Sequence, residues 1–286
     1  MSQSLVFTTG STGFIGSHVV LQTLDAGYKV RLSVRKESQI EGLKKLFSKH
    51  INDVDFVVIP DLSISSAFDS ALKDVEYVFH IASPMPGKGN DFKKEYLNPA
   101  VQGTTAVLDA AKKVSTIKRV VIVSSMLALV PLDALVTGKM NAKGTSLFHK
   151  TDLVVLTSPD GVDGTNAMLW GTLYSETPRI PAVAVDVRDV ARAHVRVLDA
   201  NLEGKNNEVQ EFLISASEKD GWSWTNVAKF VKNEYPSFCT KLEGSFDAPP
   251  FIETPRAEEI LGLRWKTMED TIASFLDHQV ELRAQL

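Results

Sequence analysis

Gly10-Ser11-Thr12-Gly13-Phe14-Ile15-Gly16 follows the apolar run 5–8 and opens a stretch, 14–26, that reads as a helix with Gly27 as its stop. A strand, a glycine turn and a helix in that order are what the pyrophosphate of a dinucleotide needs. Gly10 allows the tight turn, Gly13 lets backbone N–H groups approach the phosphates, and Gly16 lets helix pack on strand. The positive end of the helix dipole then faces the anion. Dinucleotide contacts are expected from Gly10, Thr12, Gly13, Phe14, Ile15 and Gly16.

The rest of the chain continues this rhythm. Apolar runs at 29–34, 56–59, 77–80 and 119–123 read as buried strands, and 40–49, 65–72 and 99–113 read as helices between them. Strands without polar alternation, joined by helices, imply a parallel sheet covered on both faces. A sixth strand is expected at 153–156, after a poorly patterned stretch. Asp186 heads a helix with Asp189 near its first-turn N–H groups and Val190, Val195 and Leu198 facing inward. A strand-like 211–214, a helix over 223–234, and helices near 254–261 and 268–283 follow, as a smaller lobe. The fold expected is α/β, a Rossmann-type doubly wound parallel sheet with a small C-terminal α/β substrate lobe. Residues 1–158 and 180–202 form the dinucleotide-binding domain; 159–179 and 203–286 form the lobe.

Composition removes several function classes. The 286 residues carry 31 Lys and Arg against 35 Asp and Glu, a net charge of −4, with no basic stripe, so nucleic acid is not an expected partner. The most apolar stretch, 120–136, is interrupted by Ser124, Ser125, Pro131 and Asp133 and is no membrane span. The chain runs straight into its first strand, which leaves no expected targeting peptide, and no Asn sits in a glycosylation sequon. Cys239 is the only cysteine, so no internal disulfide forms; it is expected to be a small buried or half-buried residue. The cytosol is the expected compartment. The six histidines show no metal-ligand spacing, and no metal is expected.

Taken together, several stretches resemble the extended short-chain dehydrogenases/reductases, closest to the dihydroflavonol-reductase and methylglyoxal (aldehyde) reductase branch. They are Thr9–His18, Val34-Arg35, Asp61-Leu62, Val78–Pro84, Asn98–Thr104, Lys118–Ser125, Asp186–His194 and the tail 257–265, in family order. The resemblance places Asp61 and Leu62 beside an adenine ring, and Ala82, Ser83 and Pro84 under a nicotinamide ribose. It places Pro159 and Val162 near the nicotinamide amide, and Ser125, with Ser124 beside it, at the catalytic serine. Asp61 reads equally as a simple turn aspartate, and His80 as a buried packing residue. Arg35 ends the second strand, where NAD-using enzymes carry a carboxylate for the ribose hydroxyls. Its planar fork suits a 2′-phosphate instead, so NADP(H) is the expected cofactor.

In this family a Tyr-x-x-x-Lys pair on one helical face delivers the proton, the lysine lowering the tyrosine's pKa. Here Leu32, Ile81, Ala100, Pro178 and Cys239 stand four residues after Tyr28, Tyr77, Tyr96, Tyr174 and Tyr235. Only residues 126–152 remain for the long loop and helix that relatives place there. Candidate substitutes for the acid are Lys139, Lys143, His149, Lys150 and Tyr174, each of which more simply reads as an exposed loop residue. Trp170, Leu173 and Tyr174 read either as a substrate-pocket wall or as core. Three functions are compatible: a reductase of a small, largely apolar carbonyl compound with a non-standard proton donor; a non-redox isomerase, cyclase or pericyclase of specialised metabolism; and a non-catalytic NADPH-binding protein. Because family dimers often use the helix this chain lacks, a monomer is expected.

Overall fold

The computed structural model describes residues 3–84, 91–125, 164–180, 182, 184–202, 208–216, 218–246 and 252–284. By compactness the chain divides into residues 1–123 and 124–286.

The first unit runs β1 (Leu5–Thr9), α1 (Phe14–Asp25), β2 (Lys29–Val34), α2 (Ile40–Leu46), β3 (Val54–Val58), β4 (Tyr77–His80), α3 (Asn98–Ala111) and β5 (Arg119–Ile122). Its five strands form one sheet in the order β3-β2-β1-β4-β5, and every pairing is parallel. This is the Rossmann-type arrangement expected: the order reverses at β1, so the chain leaves both β1 and β4 at the carboxyl edge where ligands of such sheets bind. Position in the sheet explains the burial. Central β1 and β4 are buried almost throughout, whereas edge residues Val58 of β3 and Ile122 of β5 are exposed.

One core cluster packs Phe7 against Phe68, Leu72, Val75 and Val78, with Ala106, Val107 and Ala110 of α3 closing over it. Phe7 and Phe68 meet edge to face with ring centroids 6.0 Å apart, the arrangement that ring quadrupoles favour. Small residues on the inner side of α3 let the helix lie close to the sheet.

Two expected helices are shorter than their patterns. The stretch 65–72 makes only a 3-10 turn, Ser65–Phe68; serines and Asp69 bond their own backbone readily, and Phe68 needs only that turn to reach the core. The stretch 40–49 leaves α-helical geometry after Leu46 and continues as 3-10 turns over Ser48–Asp53.

The second unit contains α4 (Gly164–Leu173), α5 (Val187–Asp199), α6 (Trp224–Glu234), α7 (Pro255–Ile260) and α8 (Met268–Arg283). Asp186, Ser223 and Thr267 cap α5, α6 and α8 by accepting from the amides of Arg188, Asn226 and Asp270. No strand forms among the described residues of this unit, so the strand expected at 211–214 is absent. The strand expected at 153–156 lies outside the described residues.

Two further expectations, on the inner face of α5 and on Cys239, are corrected here. Asp189 stands in the first turn of α5 as expected, and its fully buried carboxylate pairs with Arg192 and accepts from Lys266 N at 2.7 Å. Burial holds this carboxyl above the usual carboxylate range. Val190 and Val195 are only half-buried, and Ala191, His194 and Leu198 fill the inner face of α5. Cys239 is exposed, in the left-handed conformation (φ 48°) that ends the turn Pro236–Phe238, with its thiol 3.8 Å from the carbonyls of Pro236 and Ser237.

Among the described residues no helix is long and apolar enough to cross a membrane, and no group of three or more His, Cys, Asp or Glu is disposed to hold a metal.

Candidate dinucleotide site

The glycine turn has the geometry its three glycines imply. Gly10 leaves β1 at φ 75°, a conformation in which only glycine is unstrained, and its carbonyl accepts from Gly13 N at 3.0 Å. A Cβ on Gly10 would stand 2.7 Å from Ala82 N, so the turn lies directly against the chain leaving β4. Gly13 is the extended N-cap of α1. The first bond within the helix runs from Ser17 N to Gly13 O at 3.0 Å, which leaves the amides of Phe14, Ile15 and Gly16 directed out of the helix end. No acidic side chain occupies this first turn to compete for an anion. A Cβ on Gly16 would fall 2.0 Å from Gly10 O, so α1 packs on the turn backbone to backbone.

The other expected contacts line the same carboxyl edge of the sheet. Buried Ser11 donates to Ser33 O at 3.4 Å and ties the turn to the end of β2. Arg35 follows β2, exposed, its amide donating to Gln39 Oε1 at 2.9 Å; its guanidinium makes no ion pair among the described residues. Asp61, beyond β3, accepts from Ser63 N at 2.8 Å and Ser63 Oγ at 2.7 Å, and the Ser63 hydroxyl and amide hold its carboxyl below the usual range. Leu62 packs against the core cluster and lies over Gly103 of α3. Ala82, Ser83 and Pro84 follow β4, and Thr12 projects exposed from the glycine turn. The segments leaving β1, β2, β3 and β4 at this edge carry Gly10, Thr12, Gly13, Phe14, Ile15, Gly16, Arg35, Asp61, Leu62, Ala82, Ser83 and Pro84; the Gly10 turn abuts Ala82.

Ser124 and Ser125 follow β5 in the chain and are both exposed. Tyr174 belongs to an aromatic cluster of the second unit. Its ring lies 4.9 Å from Trp170, which meets Phe238 and Phe275 edge-on, and Arg283 stands over Trp170 and Phe238. Leu173 is fully buried, its carbonyl accepting from Thr240 Oγ1, Lys241 N and Leu242 N. Lys139, Lys143, His149, Lys150, Pro159 and Val162 lie outside the described residues.

His80 does more than pack. It is 4% exposed, and its Nδ1 lies 2.9 Å from Thr9 Oγ1 while its Nε2 lies 3.4 Å from Thr104 Oγ1 of α3. Thr9 Oγ1 also accepts from Ala82 N at 3.3 Å. Burial lowers the His80 pKa, disfavouring the charged ring. The sequence carried one signal for this, a polar residue ending a wholly apolar strand directly before the loop.

Comparison with known proteins agrees with this geometry. Residues 7–151 match the 3-beta hydroxysteroid dehydrogenase/isomerase family. The ketoreductase sphI of Aspergillus fumigatus is 29% identical, over 98% of this chain and 99% of its own length. That alignment spans 343 positions, 57 more than the chain has residues, so at least that many positions of the relative face no residue here. The NAD-dependent epimerase/dehydratase ALT6 of Alternaria alternata is 33% identical over 94% of this chain and 96% of its own length. The crystal structure of yeast methylglyoxal/isovaleraldehyde reductase Gre2, complexed with NADPH, superposes with a TM-score of 0.73 at 20% identity. It covers 99% of this chain and all of that one, and shows the fold to be shared. On the matched residues and the full-length relatives, this chain belongs to the 3-beta hydroxysteroid dehydrogenase/isomerase family of extended short-chain dehydrogenases/reductases.

Proposed function

We propose that the protein is an NADP(H)-dependent reductase of a small, largely apolar carbonyl-containing metabolite, working without the family's Tyr–Lys pair. The observation that carries this reading is the glycine turn combined with Arg35, rather than a carboxylate, at the end of β2. The residues present fit such a cofactor. Outward amides of Phe14, Ile15 and Gly16 suit a pyrophosphate, the Arg35 fork suits a 2′-phosphate, and Gly10 lets the turn lie against the Ala82 loop with no Cβ between them. Asp61 and Leu62 flank the adenine in this reading, and Ala82, Ser83 and Pro84 run under the nicotinamide ribose, with Ser124, Pro159 and Val162 contributing further contacts.

When bound, a reduced nicotinamide supplies hydride to a carbonyl carbon. Ser125 donates a hydrogen bond to the substrate oxygen, which lowers the cost of negative charge developing there. The proton that completes the alcohol comes from a group other than a Tyr-x-x-x-Lys tyrosine; Lys150 and Tyr174 are the candidates retained. Residues 1–158 and 180–202 hold the dinucleotide and 159–179 with 203–286 shape the substrate side, in a cytosolic monomer. The family relationship and the ketoreductase among the relatives support this reading.

One observation favours a second reading. None of the five tyrosines has Lys four positions later, and the relatives carry tens of positions this chain lacks. A non-redox isomerase, cyclase or pericyclase on the same scaffold needs shape and positioning rather than that pair. Deuterium at nicotinamide C4 of NADPH separates the two when a carbonyl panel is assayed by mass spectrometry. Label on a carbinol carbon is the expected result. Turnover that is undiminished with NADP⁺ and carries no label would establish the second reading instead.

A further inference from the structure

His80 ends β4 and stands between Thr9, the last residue of β1 before the glycine turn, and Thr104 of α3. β1 and β4 pair as far as Thr9 opposite His80, and beyond that residue their backbones lead into the two loops of the proposed cradle. Ile81 N still reaches Thr9 O at 3.3 Å, and the next amide, Ala82 N, turns to the Thr9 hydroxyl at the same distance. Ala82 is the residue whose backbone abuts Gly10. The separation of the two loops therefore depends on where the Thr9 hydroxyl is held.

One arrangement of hydrogens that fits these distances has Thr9 accept from Ala82 N–H and donate its own proton to His80 Nδ1, while the Nε2–H of His80 donates to Thr104 Oγ1 on α3. The imidazole then spans from α3 to the loop amide through Thr9. A buried phenyl ring would fill the same space and hold nothing. Four polar groups aligned in an otherwise apolar region cost stability if left unmade, so their retention calls for a use.

We propose that His80 is a positioning residue for dinucleotide binding: acting through Thr9, it sets how closely the Ala82 loop approaches the Gly10 turn. The proposal rests on the nucleotide-binding reading given above.

Calorimetric titration with NADP⁺ tests it on the full chain, comparing wild type with Thr9→Val, His80→Phe and His80→Asn, alongside thermal unfolding of each without ligand. Thr9→Val removes only the hydroxyl at nearly constant shape. His80→Asn keeps an acceptor where Nδ1 stood. Thr9→Val and His80→Phe are expected to raise the dissociation constant by about five- to tenfold, the range for unmaking a buried hydrogen bond, and His80→Asn by less than about twofold. A purely structural role would lower the unfolding temperature and leave the affinity of the folded protein unchanged.

Wild-type binding with Thr9→Val and His80→Phe equally tight overturns the proposal and leaves the nucleotide reading standing. His80→Asn binding as weakly as His80→Phe also overturns it. If His80→Phe does not fold, Thr9→Val against wild type decides. Wild type that binds neither NADP⁺ nor NADPH overturns the nucleotide reading, and this inference with it.

Discussion

The unit ending at Val123 and the unit beginning at Ser124 hold their shape by different means. In the first, a parallel ladder of five strands carries the structure, and its core is aromatic and aliphatic: Phe7, Phe68, Phe79, Leu32 and Leu72 are fully buried. The second has an apolar core of its own, with Leu173, Leu242, Met268, Ile272 and Leu276 fully buried, but no ladder among its described residues, and its helices are also joined through polar side chains. Asp189 ties Arg192 to the Lys266 amide, Glu258 gathers Lys219, Thr254 and Trp265, and Trp224 Nε1 donates to Ile180 O. A ladder constrains loop ends to within fractions of an ångström, which is what a phosphate cradle needs. Side-chain networks specify a packing arrangement but are broken one residue at a time.

The sharpest way to break that contrast is Gly16→Ala. Its new methyl would meet Gly10 O at 2.0 Å, backbone against backbone, so α1 must lift from the turn. We expect a loss of about 3 kcal/mol or more in urea unfolding, together with loss of dinucleotide binding. Asp189→Ala attacks the second unit. It strips partners from Arg192 and the Lys266 amide, and because Arg192 is more than one-third exposed the cost is about 2 kcal/mol in unfolding free energy.

Lowering the pH probes both units. His80 and His194 have pKa values lowered by burial. The unfolded chain therefore takes up protons near pH 6.5 while the folded chain resists, so the unfolding midpoint falls as pH drops below about 6.5. Asp186 adds its term only further down. Burial would raise its carboxyl, but the Arg188 side chain and amide outweigh this and hold it below the usual range, so its contribution is lost as pH falls through that low value. His80→Asn should flatten the first of these two slopes in part. The smallest effect is a gain: Gly42 lies inside α2 with open space around it, and Gly42→Ala should add about 0.5–1 kcal/mol without touching binding.

Legibility in the sequence follows the same division. Buried strands advertise themselves because both faces are apolar, and 77–80 coincides with β4 to the residue. The glycine turn was legible because its glycines are demanded by contact and conformation rather than by composition. Where polar partners decide, sequence patterns say less. Asp189 is the helix-start residue its position implies, but nothing near it announces its partner, the Lys266 amide 77 positions away. Val190 and Val195 were hydrophobic enough for the core, but a buried His194 took the inner face. Cys239 was placed inside by its chemistry and outside by a left-handed turn that no local propensity announces. His80 read as packing because neither Thr9 nor Thr104 is near it in sequence.

The claim on which this account stands is that the glycine turn, with Arg35 beyond β2, forms a working dinucleotide cradle in a chain without a Tyr-x-x-x-Lys pair. Equilibrium titration of the wild-type protein with NADPH, with NADH as comparator, measures it most directly. We predict saturable binding of one NADPH per chain, tighter than NADH; no saturable binding of either, by a protein whose unfolding is cooperative, would contradict it.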